Sequence, residues 1–219
     1  MTRRAYNGCV TERFTEVRRL LDRYIVEIVE TYGFCPWAKP ARLGGEIAVD
    51  VLWGTPARDA WATTAEQLLA RPSTRVAMII APELAATPAD LRAIRDLVAA
   101  RLPGLGIAEF HPEATLDLGS PGRLVPYLRR SPDPMLQLVP LSLLESVRAY
   151  PAVIDINEQA QMLGGLVPPL RGDVADALAV ESHATMIANE ARVAATLEDI
   201  AADRRRSYAR AGIAISTSR

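Results

Sequence analysis

The chain is expected to be an α/β protein: a small mixed sheet of about four strands flanked by helices, with a long helical C-terminal region. Three observations predict it. Short apolar runs and two-residue alternation recur between residues 46 and 140, separated by segments of helical period. These strand-like stretches are too few for a large doubly wound sheet. Beyond Pro168 and Pro169 the helical period continues without a strand signal. An α+β arrangement is the alternative, because several strand orders fit so few short strands.

The elements follow in order. Residues 11–31 set Phe14, Val17, Leu20, Leu21, Tyr24, Ile25, Ile28 and Val29 at helical spacing, and Gly33 is expected to end that helix. EIAVDVLW (46–53) alternates apolar and polar residues as a half-buried strand does. ARDAWATTAEQLLAR (57–71) is a helix placed after Pro56. RVAMIIAP (75–82) is continuously apolar, as central strands are. Thr87 is the expected N-cap of a further helix, with Pro88 at its first position and Gly104 past its end. GIAEF (106–110) is a third strand running into His111-Pro112; MLQLVP (135–140) is a fourth, with LSLLESVRAY as the helix after it. Pro121, Pro126, Pro132 and Pro134, with Gly119 and Gly122, exclude a long regular element from 116–134, which is expected to be an ordered loop over a site.

From about Asp173 to Arg206 the chain is expected to be helical, about 50 Å if unbroken. That exceeds the width of a domain this size, so the helix should break or pack on a partner. Val180, His183, Ile187, Ala194 and Leu197 form its expected stripe, and Arg204 to Arg206 open a frayed, solvated end. Residues 1–150 are thus read as the α/β core and 151–219 as a helical extension on the core or on a partner subunit.

Composition removes several function classes. Apolar residues make up 49 % of the 219 and charged residues 23 %, an ordinary globular balance that argues against disorder. The net charge of −1 and 5 % aromatic content give nucleic acid neither a basic field nor stacking platforms, so no nucleic-acid partner is expected. The N-terminus reads as an amphipathic helix rather than a signal peptide, and no apolar run approaches a membrane span. A cytoplasmic location with reduced Cys9 and Cys35 and no membrane partner follows as the expectation. Two cysteines and two histidines leave few ways to build a metal site, and no metal ligand set is assigned.

The chemistry centres on GFCPWAKP (33–40). Pro36 suits the first position of a helical turn, which would place Cys35 at the cap before free backbone N–H groups. That setting lowers a thiol pKa, and Lys39 one turn on could push the same way. The same turn suits a thiolate ligand to haem iron, while a free cysteine is as often a small buried hydrophobe. His111 lies at a strand end, where open α/β sheets place ligands, and Glu109 should share its face, so the two could form an acid/base pair; a histidine capping a loop is the plainer alternative. His183, on an apolar stripe, reads first as a satisfied core histidine, with a proton relay alongside Glu181 and Glu190 held open. Arg129, Arg130 and Ser131 could hold a carboxylate or phosphate, or staple their loop to the sheet. No P-loop, nucleophile elbow or HExxH is present.

CPWAKP, FHP and RSPDPML in this order resemble an uncharacterised bacterial family, the domain of unknown function 1415. Cys35, Pro36, Ala38 and Lys39; Phe110, His111 and Pro112; and Arg130, Ser131, Pro132, Pro134, Met135, Leu136 and Leu138 match its pattern. The likeness covers roughly residues 15–150. It departs at Trp37, where the family has phenylalanine, and at Gln137, where it has histidine. The resemblance implies that Cys35, His111 and Arg130 meet, though the family name implies no activity.

The leading expectation is an enzyme acting on a small anionic metabolite. Cys35 is its thiol, His111 its acid/base, and Arg130 with Lys39 its anion clamp. A haem-thiolate or other iron-dependent redox enzyme with Cys35 as axial ligand is the second. The third is a non-catalytic module that forms a homodimer through the C-terminal helix.

Overall fold

The computed structural model describes residues 3–143 and 174–215. The chain opens with helix α1 (Arg3–Tyr24), which continues as a π-helical stretch (Ile25–Glu30). There follow α2 (Ala38–Leu43), β1 (Ile47–Val51), α3 (Arg58–Leu69), β2 (Val76–Ile80), α4 (Pro88–Arg101), β3 (Leu105–Phe110), α5 (Pro121–Leu128), β4 (Met135–Pro140) and α6 (Val174–Ala211). The helix expected at 141–150 is described only to residue 143, and Pro168-Pro169 lies outside the described residues.

The sheet is mixed, with strand order β1-β2-β4-β3. β1 and β2 are parallel; β4 runs antiparallel to both β2 and β3, placing Ile79 and Glu109 on either side of Leu136. Side chains alternate across it, as strand geometry requires. Val49, Val51, Met78, Ile80 and Met135 enter a core with residues of α1, α5 and α6. Ala77, Ile79, Leu136 and Leu138 meet Trp61, Leu68, Leu91 and Val98 of α3 and α4 on the other face. The result is a three-layer α/β arrangement.

Local chemistry accounts for the starts of two helices. Thr87 and Asp90 form a reciprocal capping box at the start of α4, with Pro88 in its first turn. The proline-rich segment departs from the expected loop, since residues 121–128 form α5. Ser120 caps it by accepting from the Arg123 N–H, and Pro121 occupies a first-turn position where no N–H is needed. The prolines that exclude a long helix thus open a short one.

α6 lies on the core, one of the two arrangements expected for it, and corrects two other expectations. It is unbroken over 38 residues and packs along α1 of the same chain. Its buried stripe is Ser182, Met186, Val193, Ile200 and Ser207, whereas Val180 and Ile187 are 59 % and 55 % exposed. The expected stripe was one position out of phase, about 100° of rotation. Finally, the end is closed rather than frayed. Gly212 adopts φ 65°, Ile213 N–H returns to the Tyr208 carbonyl at 2.9 Å, and both Tyr208 and Ile213 are buried. Among the described residues no helix is long and apolar enough to cross a membrane.

Candidate functional site

Cys35 lies in the turn between the π-helical stretch and α2. Gly33, at φ 67°, takes a backbone conformation that side-chain-bearing residues adopt only with strain, and Phe34 N–H closes on the Val29 carbonyl at 2.9 Å. Phe34 is buried and stacks on Tyr32, which pins the chain just before the cysteine. The backbone amides of Trp37 and Ala38 lie near enough to the Cys35 thiol to act downward on its pKa, although the Ala38 N–H donates to the Cys35 carbonyl at 3.2 Å. The expected amide environment is therefore present, but not its expected consequence. Burial outweighs both amides and pushes the thiol above its ordinary range. Lys39 lies exposed on α2, and its charge is felt by Glu30 rather than by the sulfur.

Tyr24 connects this turn to the rest of the site. Its buried hydroxyl donates to the Leu128 carbonyl at 2.7 Å, and its ring meets Phe110 edge-on with centroids 6.5 Å apart. Burial pushes the phenol well up; Arg129 opposes that shift and Cys35 adds to it. Arg129 and Cys35 thus act on one hydroxyl.

The Arg129 guanidinium sits 6.0 Å from the Phe110 centroid, and its carboxylate partner, Glu109, is 4.0 Å away. Glu109 is already engaged by Arg95 Nη1 at 2.7 Å and by Arg92 Nε at 3.4 Å. Among the described residues the Arg129 guanidinium donates no hydrogen bond, although its side chain is only 36 % exposed. Burial pulls this guanidinium below its ordinary value, with Glu109 opposing. For Glu109, burial acts upward but is overcome by its own backbone N–H and by Arg95 and Arg129, so the carboxyl stays below the usual range.

The other expected site residues are placed differently. Buried His111 donates from Nε2 to the Ala86 carbonyl at 2.8 Å, and its Nδ1 accepts from Glu113 N–H at 3.1 Å. A carbonyl can only accept, so the ring is the Nε2–H tautomer with neither nitrogen open for acid/base work. It does not bond Glu109. Arg130 donates from Nε to the Pro112 carbonyl at 2.9 Å, which makes it a staple between loops. Ser131 is buried and bonded to the Asp133 carbonyl, out of reach of a substrate. His183 bonds the Leu118 carbonyl through Nε2 at 2.9 Å, while Glu181 and Glu190 are exposed on α6. Gln137, where the family pattern has histidine, pairs with Met78 and Ala108 and shares the α1-facing side of the sheet with Met78.

Sequence reasoning missed a buried polar cluster. Asp133, 3 % exposed between two prolines of the third box, accepts from Arg204 Nε at 2.7 Å and from the Tyr208 hydroxyl. Arg204 was expected to be solvated; its side chain is 11 % exposed and also reaches the Pro82 carbonyl. Nothing in local spacing signals this pair. Arg92 and Arg95, three apart on α4, did carry a signal, since they must share a helix face.

Among the described residues no group of three or more histidine, cysteine, aspartate or glutamate side chains converges to hold a metal. Cys35, with two backbone amides near its thiol, could ligate haem iron. Comparison with family models, curated proteins and solved structures yields no match to this chain. Fold and site together define a three-layer α/β protein in which the charges of a half-buried cysteine and of Arg129 both act on buried Tyr24.

Proposed function

We propose that this chain is an enzyme acting on a small anionic metabolite, with Cys35 as the reacting thiol and Arg129 as the group that holds the anion. The observation that carries this reading is Arg129 itself. Its side chain is about two-thirds buried, its guanidinium is hydrogen-bonded to no acceptor among the described residues, and its charge acts on the same phenol as that of Cys35. A cation in that setting gains more from an incoming anion than a solvated one does. The Trp37 and Ala38 amides would stabilise the sulfur anion as it forms. Membership of the family with the three boxes belongs to the same proposal. Bonds that tie the second box to the third box and to the residue before it support it: Arg130 Nε to the Pro112 carbonyl, and His111 N–H to the Arg129 carbonyl.

The test compares alkylation of Cys35 by iodoacetate and by iodoacetamide, followed by mass spectrometry of the Cys35 peptide. Relative to a free peptide cysteine, iodoacetate should be favoured, and Arg129→Gln should remove that preference. A ratio equal to that of the free peptide would refute the reading.

The two backbone amides near the thiol also favour a second reading, in which Cys35 ligates haem iron. It predicts a Soret band in protein purified from haem-supplemented cells, lost in Cys35→Ser. Outward Val180 and Ile187 support homodimerisation through α6. Sedimentation should show a dimer in the native chain and a monomer in Val180→Glu/Ile187→Glu.

A further inference from the structure

Edge strand β3 ends beside an unusual concentration of arginine. Glu109 projects toward α4, where Arg95 Nη1 lies at 2.7 Å and Arg92 Nε at 3.4 Å; Arg129 Nη1 approaches from the start of the loop after α5 at 4.0 Å. Three guanidinium groups thus surround one mostly buried carboxylate, an excess of two positive charges. Asp96 also takes Arg95 at 2.7 Å, but its side chain is well exposed and its charge is screened by water. Arg92 offers Glu109 only its Nε at a long distance, and Arg129 donates no hydrogen bond among the described residues. Donors on two separate elements therefore remain unspent around one point.

We propose that Arg92, Arg95 and Arg129 form a binding site for a phosphoryl group, so that the anionic metabolite of the preceding reading is a phosphate monoester. The inference rests on Arg129 holding the anion in that reading, and adds α4 as the second wall of the site. Glu109 takes Arg95 through Nη1 alone, while the Nε and Nη2 of Arg95 go to Asp96, so Arg92 and Arg129 hold the donors still open. A tetrahedral dianion presents several oxygens in different directions and can take N–H groups from α4 and from Arg129 together. Its charge matches the local excess. Phe110 lies under Arg129 and limits where that guanidinium can move.

The experiment is calorimetric titration of the full chain with inorganic phosphate at neutral pH, against acetate at matched ionic strength. Saturable phosphate binding, at least about tenfold tighter than acetate, is the expected result. Arg92→Gln should weaken it about fivefold or more and Arg129→Gln about tenfold or more, whereas Arg205→Gln, at an exposed position on α6, should leave it unchanged. Arg92 is exposed, so its variant should fold even if Arg129→Gln does not. Absence of saturable phosphate binding at about 10 mM, or equal binding by native chain and Arg92→Gln, overturns the site. The two proposals fail separately. An iodoacetate preference without phosphate binding keeps the thiol reading and removes this site; arginine-dependent phosphate binding without that preference keeps this site and removes the thiol reading.

Discussion

Arg204→Met should loosen the last turns of the C-terminal helix against the core and lower stability by about 3 kcal/mol at neutral pH. The magnitude follows from the surroundings of Asp133. That carboxylate is 3 % exposed, and one of its oxygens accepts from Arg204 Nε at 2.7 Å. Methionine fills similar volume but leaves a buried negative charge with the Tyr208 hydroxyl as its remaining side-chain donor. Removing one partner of a buried pair typically costs about 3–5 kcal/mol, and the lower end applies because Arg204 retains 11 % exposure. For a chain of this size the loss corresponds to roughly 6–12 °C in Tm. Urea denaturation followed by circular dichroism measures it.

The pH dependence gives a second readout. Burial already pushes the Asp133 carboxyl upward against Arg204 and Tyr208, and loss of the arginine pushes it further. A carboxyl raised in the folded state binds its proton more tightly there than in the unfolded chain. The penalty of Arg204→Met should therefore be full at neutral pH and shrink as pH falls through that raised value toward the ordinary carboxylate range. Asp133→Asn/Arg204→Met should recover most of the loss, since no buried charge remains. A penalty below about 0.5 kcal/mol, or one equal at neutral and mildly acidic pH, would refute the reasoning.

Three further outcomes are expected. Asp203 is held at about 2, first by its bond to Arg19 and then by Arg23, so its support for the α1–α6 contact is present above the ordinary carboxylate value and lost as pH falls toward 2. Asp203→Asn should remove about 1 kcal/mol at neutral pH, after solvent screening, and flatten the acid limb of urea midpoints measured across pH. Gly212→Ala should cost about 1 kcal/mol by forcing a side chain onto φ 65° at the closed end of α6, read from the same denaturation midpoint. Cys35 should react with iodoacetamide more slowly than a free peptide cysteine at neutral pH, and its rate should keep rising with pH beyond the ordinary thiol range because burial raises it.

Much of the architecture was legible in the sequence because it is set over a few residues. The alternation in residues 46–53, the apolar run at 75–82 and the Thr87-Pro88 helix start report geometry that repeats every two or four positions, and each appears in the structure within a few residues of its expected bounds. The amide setting of Cys35 was visible for the same reason, since Gly33 and Pro36 act on their immediate neighbours. Its protonation was not, because burial is contributed by the packed core around the turn.

What only the tertiary structure decided joins residues far apart in the chain. Arg19 and Asp203 are 184 positions apart, and Asp133 and Arg204 are 71 apart. The phase of α6 was out of reach because two stripes with the same seven-residue spacing, Val180-Ile187-Ala194 and Met186-Val193-Ile200, run along it. Helical periodicity shows that each stripe shares a face. Only packing against α1, with Asp199 and Asp203 meeting Arg19 and Arg23, decides which face turns inward. The same holds for His111 and Arg129. Both lie at strand or helix ends that sequence could locate, but which retains unspent donors depends on carbonyls that other loops bring into range. Short-range repeats are encoded by covalent geometry, whereas the partners of a charged side chain are set by the closure of the whole chain.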